Sequence, residues 1–133
     1  MRVTYPALLL SLHPEFARKI YSGKKTAELR RVKPSRSIRY VLVYETAPVG
    51  RVTGWFRVRS IESGTARAIW SKYARRLSIT RPAFDRYLKG CPRPTVLMIE
   101  RRARFRRHLP LEGVCRLRRP PQSFSYIHSR PPT

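Results

Sequence analysis

One carboxylate, Glu28, lies among cations in the short stretch SGKKTAELRR at residues 22–31. The chain has only seven Asp and Glu residues among 133, so an acid at this place points to a specific role. From residue 26 the sequence alternates as in a β-strand, which predicts that Glu28 and Arg30 share one face. The same alternation assigns Lys25 to the opposite face.

These residue types can carry out acid–base chemistry. A lysine between other cations can have a lowered pKa, and Lys25 is then a candidate base or nucleophile. Glu28 can accept a hydrogen bond from an exocyclic amine, as carboxylates do from cytosine N4. Lys25 and Glu28 are therefore the candidate catalytic residues. The alternative is that Glu28 only pairs with a neighbouring arginine on a solvated strand.

The charge of the chain is far from balanced. Thirty Lys and Arg residues against seven Asp and Glu give a net charge of +23 and a pI near 11.6. A field of this sign attracts polyanions, and nucleic acid is the expected partner. Arginine predominates over lysine, and guanidinium groups bind phosphate and stack on bases.

Several classes of protein are disfavoured by the sequence. A membrane partner is not expected, because the sequence shows neither a strongly amphipathic basic helix nor a long apolar run. Cys91 and Cys115 lack metal-ligand spacing, which argues against a zinc site and a disulfide framework and favours a reducing cytoplasm. The sequence has no glycine-rich phosphate-binding loop and predicts no metal and no cofactor.

Hydrophobic periodicity predicts one α+β domain. Pro14 suits the first turn of a helix, and Gly23 suits its end. Gly54 in the middle of a strand predicts a bulge or a close backbone approach. The sheet is expected to be small and mixed and to curl towards a barrel, with helices to one side. Strands are predicted at residues 7–12, 26–31, 39–44, 51–61 and 95–99, the last extending towards 105, and helices at 14–22, 66–76 and 80–90.

Several motifs, taken in order, resemble an ASCH domain of the PUA-like superfamily. They are LSLHPEFA (10–17), GKKTAELRR (23–31), VYETAPV (43–49), VTGWF (52–56) and FDRYLKG (84–90). The late PPQSFSY (120–126) resembles the end of a subgroup described as transcriptional regulators with PUA-like domains. The resemblance implies a PUA-like β-pseudobarrel of five to six strands with flanking helices, over residues 1–127. Residues 128–133 are predicted to form a disordered tail.

In this superfamily a cleft beside the first helix binds RNA or modified bases. The resemblance implies that Lys25, Glu28 and Arg30 lie together in that cleft, with Glu45 at the end of the neighbouring strand. Some bacterial members of the wider family are amidohydrolases of N4-acetylcytidine, and their Lys-Thr pair and downstream Arg are matched by Lys25, Thr26 and Arg30. Glu28 replaces their second catalytic Thr. Other ASCH proteins are ribonucleases.

A base in such a cleft needs a stacking surface, and Tyr44 and Trp55 are candidates, at about 1–3 kcal/mol per stacked base. The alternative for both rings is the hydrophobic core. Phosphates would be held by basic loops and by the run at 101–107, whose alternative is a solvated strand edge. Beyond Lys25 and Arg30, the candidate nucleic-acid-binding cations are Lys24, Arg31, Lys33, Arg36, Arg39, Arg102, Arg104 and Arg106.

The sequence therefore supports two functions. The first is a cytoplasmic protein, with a regulatory role left open, that binds RNA or another single-stranded nucleic acid and holds one nucleotide or base in a basic cleft. RNA is favoured over DNA as the partner. The second is an enzyme, either an N4-acetylcytidine amidohydrolase or a ribonuclease, that uses Lys25 and Glu28. The sequence does not decide between them and does not determine the oligomeric state.

Overall fold

A computed structural model describes residues 3–35 and 37–128, which form an α+β fold. Arg36 and most of the predicted tail, residues 129–133, lie outside the described residues. The strands are β1 (Ala7–Leu12), β2 (Ala27–Arg30), β3 (Tyr40–Glu45), β4 (Arg51–Ser63), β5 (Thr95–Leu109) and β6 (Phe124–Ile127). The helices are α1 (Pro14–Ser22), α2 (Ala66–Leu77) and α3 (Arg81–Tyr87), with a short 3-10 turn at Leu111–Gly113.

The six strands form one sheet in the order β2-β5-β4-β3-β1-β6. β1 and β3 run parallel, and the other neighbouring pairs run antiparallel. The sheet is curled, because Leu97 of β5 and Phe124 of β6 pack in one cluster although three strands separate them. Arg30 on edge strand β2 donates a 2.6 Å hydrogen bond to Ser123, which precedes edge strand β6. The predicted pseudobarrel is thereby confirmed.

Helix α1 packs against the inner face of the curled sheet. Pro14 lies in its first turn, and Gly23 ends it in a left-handed conformation, φ +84°, that glycine adopts without strain. Ala17 and Ile20 are fully buried and pack with Leu10 and Phe56 of the sheet. The end of β1 and the start of α1 are therefore held against the interior of the pseudobarrel.

Helices α2 and α3 cover the outer face of β2 and β5, where Leu29 packs with Ile69 and Phe84. The helices thus lie on both faces of the sheet and not on one side, as the sequence suggested. The reason is that β5 is apolar on both faces: Val96 packs under the helices, and Leu97 packs inside the pseudobarrel.

The same N-cap geometry begins both outer helices. Thr65 accepts a hydrogen bond from the backbone N–H of Ala68, and Thr80 accepts one from that of Ala83. Threonine is a favoured N-cap residue because its side chain satisfies a backbone donor that the first turn leaves free.

Strand β6 was not predicted. It pairs antiparallel with β1, and Leu10 lies opposite Phe124. The backbone N–H of Ser11 donates to Ser123 O, and the Ser11 hydroxyl donates to Pro121 O. This C-terminal segment therefore forms the last strand of the sheet, a role that its Pro- and Ser-rich sequence obscures.

Gly54 lies where the backbone of β4 comes close to its neighbours. A β-carbon at this position would meet the carbonyl oxygen of Ala103 and would lie 2.8 Å from the Tyr21 ring. The pairing of β4 with both neighbouring strands is also irregular next to Gly54. The predicted bulge and close approach are both present, and they allow Tyr21 of α1 to reach the sheet.

We expect Gly54→Ala to lower the free energy of unfolding by about 1–3 kcal/mol, the usual cost of forcing extra volume into a packed region. Gly64→Ala is the matched control, because its added carbon would meet only the side chain of Ile69, at an ordinary van der Waals distance of 3.8 Å. The control should change stability by less than about 0.5 kcal/mol. Urea titration of both variants tests this, and equal losses would contradict the close approach.

Candidate functional site

A cavity of about 280 Å³ opens between the end of β1, the first turn of α1, strand β2 and helix α3. Its volume is close to the lower end of small-molecule pockets, about 300 Å³, and suits one nucleobase better than a larger ligand. The lining residues are Ser11, Leu12, His13, Phe16, Lys25, Glu28, Leu29, Arg30, Ile79, Ala83, Tyr87 and Gln122.

Three buried charges lie together at this cavity. The Lys25 ammonium is 3.4 Å from one oxygen of Glu28, and the Arg30 guanidinium is 3.2 Å from the other. Lys25 is only 2% exposed, Glu28 4% and Arg30 8%. The predicted grouping of Lys25, Glu28 and Arg30 is therefore present, and we call it the buried ion cluster.

Lys25 reaches the buried ion cluster by leaving the strand pattern. Strand β2 begins at Ala27, and the backbone N–H of Lys25 donates to Lys19 O near the end of α1. The alternation that assigned Lys25 to the face opposite Glu28 therefore does not apply before Ala27. Glu28 and Arg30 keep the predicted alternation, whereas Ala27 packs under the outer helices.

The environment of Lys25 disfavours its charged form. Burial lowers the pKa of the Lys25 ammonium, while the carboxylate of Glu28 opposes that shift. The positive charges of Lys19 and Arg30 lower the pKa further. Lys25 Nζ also donates a 2.7 Å hydrogen bond to Leu77 O at the end of α2. Lys25 is thus held in place and has the lowered pKa expected of a base.

Donor and acceptor capacity remains unused in the buried ion cluster. Arg30 Nε is buried and has no hydrogen-bond acceptor among the described residues. A carboxylate has about four acceptor sites, and Glu28 uses each oxygen for one contact with Lys25 or Arg30. The cluster therefore has an acceptor and a donor to offer to a ligand.

Most of the residues that line the cavity, among them His13 and Tyr87, were not assigned to a site from the sequence. His13 is the exposed N-cap residue of α1, and its Nδ1 is 3.3 Å from the Thr46 hydroxyl. Tyr87 ends α3, and partial burial raises the pKa of its hydroxyl. Both lie far in sequence from part of the cavity wall, so only the fold reveals their place.

Glu45 belongs to a different cluster. Its carboxylate is 2% exposed and lies 3.3 Å from the Arg104 guanidinium, which stacks 4.5 Å above the Tyr21 ring. The Tyr21 hydroxyl is 2.8 Å from the hydroxyl of the fully buried Thr53. Burial raises the pKa of Tyr21 to about 12. This second cluster ties α1 to the sheet, and Glu45 does not line the cavity.

The two predicted stacking rings are also outside the cavity. Tyr44 is buried with Leu9 and Leu111 on the outer face of the sheet. Trp55 is half-buried on that face, with its ring 5.8 Å from the ring of Tyr40. Tyr44 therefore lies in the hydrophobic core, which was the alternative to a stacking role. Trp55 keeps partial access to solvent.

The predicted phosphate-binding cations differ in their exposure to solvent and in the contacts that their side chains already make. Arg31 donates hydrogen bonds to the carbonyl oxygens of Tyr87 and Lys89, so it caps the end of α3. Arg102 lies beside Gly23 at the end of α1. Arg36 lies outside the described residues. Lys24, Lys33, Arg39 and Arg106 are exposed.

The described ranges contain neither a candidate metal centre nor a helix that could span a membrane. No group of three or more His, Cys, Asp or Glu residues in residues 3–35 and 37–128 is arranged to hold a metal ion. None of the helices found in those same ranges combines the length and the apolar character needed to cross a bilayer.

The buried ion cluster predicts an asymmetry between two substitutions. Glu28→Gln leaves two buried cations without a counterion, so we expect it to lower the free energy of unfolding by about 3–5 kcal/mol. Lys25→Met keeps the Glu28–Arg30 pair and removes one donor from Leu77 O, so its cost should be about 1–2 kcal/mol. Urea denaturation of the two variants measures the difference. Equal losses would show that Lys25 is as necessary to the fold as Glu28.

Comparison with known proteins agrees with this architecture. A family model of the ASCH domain matches residues 10–90. An ASCH domain-containing ribonuclease of Zymomonas mobilis subsp. mobilis is 32% identical over 124 residues, which cover 90% of this chain and 82% of that protein. The large ribosomal subunit protein uL22 of Ureaplasma parvum serovar 3 is 26% identical over 125 residues, which cover 93% of this chain but 40% of that protein.

A solved structure has the same fold. The crystal structure of ASCH from Zymomonas mobilis superposes with a TM-score of 0.83 at 30% identity and covers 92% of this chain and 88% of that chain. The resemblance to a regulator subgroup stays a prediction. Since the family model spans more than half of the 133 residues and the fold agrees, the chain belongs to the ASCH domain family and has its PUA-like fold.

Proposed function

We propose that this protein binds single-stranded RNA and seats one base in the cavity beside the buried ion cluster. The observation that carries the proposal is the unused hydrogen-bonding capacity of Glu28 and Arg30 at a cavity of base size. A buried donor without an acceptor costs about 1–3 kcal/mol. A ligand that supplies the acceptor recovers this free energy on binding.

The pattern of donor and acceptor selects the kind of base. Glu28 accepts from an exocyclic amine, and Arg30 Nε donates to a ring nitrogen or carbonyl oxygen. Cytosine and adenine each present an amino group next to an acceptor on one edge. Phe16 and Tyr87 add aromatic wall to the cavity. A base that carries an amino group therefore complements the site better than uracil does.

The charge of the protein supplies the rest of the affinity. Exposed cations such as Lys24, Lys33 and Arg106 are available to phosphates, and each neutralised phosphate releases counterions. The affinity for RNA should therefore fall steeply with salt. RNA is preferred to DNA in this proposal because a relative that shares 32% of its residues is named a ribonuclease.

We expect Ala83→Phe, which fills the cavity from helix α3, to weaken binding of a labelled single-stranded trinucleotide by about tenfold or more, as loss of one seated base implies. Ala68→Phe is a matched control, because both alanines are the third residue of a helix and donate to a threonine N-cap. Fluorescence anisotropy measures both. Equal affinity in the two variants would exclude the cavity as the base site.

A second candidate function is ribonuclease activity. It is favoured by the named relative and by the lowered pKa of Lys25. In RNA cleavage by transesterification, a base takes the proton of the 2′-hydroxyl, and O2′ attacks phosphorus. The bond to O5′ breaks, and an acid gives that oxygen a proton, leaving a 2′,3′-cyclic phosphate and a 5′-hydroxyl. Lys25 in its neutral form is the candidate base, and His13 is the candidate acid.

We expect Lys25→Met to lower the cleavage rate at least about a hundredfold, the usual contribution of a general base, while RNA affinity changes little. The wild-type rate should fall as the pH is lowered, because protonation removes the base. Lys72→Met, an exposed lysine on α2, is the control. Single-turnover cleavage of labelled RNA tests this, and full activity of Lys25→Met would remove Lys25 from the mechanism. The same samples incubated with N4-acetylcytidine test the amidohydrolase alternative.

A further inference from the structure

A second depression, of about 490 Å³, is larger than the cavity and shares no lining residue with it. It lies where the chain enters β3 and where β4 passes beyond its pairing with β3. Its walls are formed by residues 37–39, by residues 57–61 and by Glu100. We call it the arginine groove.

Three arginines, Arg39, Arg57 and Arg59, line the arginine groove together with one acid. Glu100 lies 3.4 Å from Arg57 and pairs with it. Arg39 and Arg59 are exposed and form no ion pair or side-chain hydrogen bond with any described residue. The groove therefore carries a local excess of positive charge.

The backbone fixes this arrangement. Arg57 lies opposite Arg101 and Val58 lies opposite Ile99, so Glu100 is the extra residue of a β-bulge, which places it beside Arg57. The backbone N–H of Val58 donates a 2.7 Å hydrogen bond to Arg39 O.

The neighbours of the three arginines point inwards. Ile38 and Val58 pack in the interior of the pseudobarrel. Alternation along β4 turns Arg57 and Arg59, on either side of Val58, away from that interior. Arg39 precedes β3 and lines the same groove. The three side chains line one groove, and their like charges repel one another. A bound anion would relieve that repulsion.

An aromatic ring lies next to the groove. Trp55 precedes Arg57 by two residues on β4 and therefore points to the same side of the sheet. Its half-buried ring packs against Tyr40, which lies opposite Arg57 in the sheet. Guanidinium groups beside an accessible aromatic face are the combination with which proteins hold a phosphate and stack its base.

We propose that the arginine groove is a second nucleotide subsite, in which Arg39 and Arg59 bind a phosphate ester and Trp55 stacks on the base. The inference rests on the proposed function for its class of ligand, because both sites would bind parts of one RNA strand. A free nucleotide presents the same phosphate ester, and the experiment separates the two sources.

The test compares Arg39→Ala/Arg59→Ala with Arg67→Ala/Arg75→Ala, a control pair of exposed arginines on α2 that removes the same charge. Affinity is measured by anisotropy for a trinucleotide and a dodecamer of single-stranded RNA, and by calorimetry for a nucleoside monophosphate. If the RNA strand is the ligand, the groove pair, Arg39→Ala/Arg59→Ala, weakens dodecamer binding about tenfold more than the control pair does. It also reduces the salt dependence of dodecamer affinity by the amount expected for about two phosphates. Trinucleotide binding stays at the control level.

If a free nucleotide is the ligand, the groove pair abolishes monophosphate binding, and the control pair keeps it. In either case Trp55→Leu should weaken the same ligand about tenfold, and wild-type affinity for Trp55→Leu would overturn the stacking role. Groove and control pairs with equal affinity for all three ligands would overturn the subsite. That failure is distinct from failure of the proposed function, which appears as equal trinucleotide affinity of Ala83→Phe and Ala68→Phe.

Discussion

The buried carboxylate of Glu28, held between Lys25 and Arg30, is the interaction on which the rest of this site depends. Removing three ionised groups from water costs several kcal/mol for each group, and only close pairing and further hydrogen bonds compensate that cost. The further bonds are present: Lys25 donates to the end of α2, and Arg30 donates to Ser123 beside β6. Glu28 therefore links an outer helix to both edges of the sheet. The cavity is the space left at that junction.

A second buried carboxylate, Glu45, has the same role for α1. Arg104 pairs with it and stacks on Tyr21, whose hydroxyl reaches Thr53. The six ion pairs of the described residues use five of the seven acids of the chain. Most of the Lys and Arg residues that the structure describes therefore form no ion pair. In the proposed function, RNA supplies the counterions for this surface.

In the proposed function, the cavity and the arginine groove would bind different parts of the RNA. The cavity is small, partly apolar and equipped with a buried donor and acceptor, which suits the reading of one base edge. The arginine groove is larger, polar and lined by exposed guanidinium groups, which suits a phosphate. Both depend on irregular backbone: Lys25 lies just before its strand, and Glu100 is the extra residue of a bulge.

Local rules were enough to predict most elements of the fold. Periodicity, Pro14 and Gly23 defined β1 and α1 with nearly their observed bounds, and Gly54 marked the close approach in β4. The resemblance also brought Lys25, Glu28 and Arg30 together, and these three residues are within ten positions of one another. Such predictions succeed because the forces that they describe act between near neighbours in sequence.

Contacts between distant segments needed the tertiary structure. Arg30 donates a hydrogen bond to Ser123, which is 93 positions away in sequence. Glu45 pairs with Arg104, 59 positions away, and does not join the buried ion cluster. Tyr87 and His13 line the same cavity although their helices, α3 and α1, pack on opposite faces of the sheet. The strand pattern also placed Lys25 on the wrong face, because a hydrogen bond from its backbone to Lys19 holds it outside β2. The pairing of Glu45 with Arg104 and the bond from Arg30 to Ser123 depend on closure of the whole sheet, which no local pattern in the chain records.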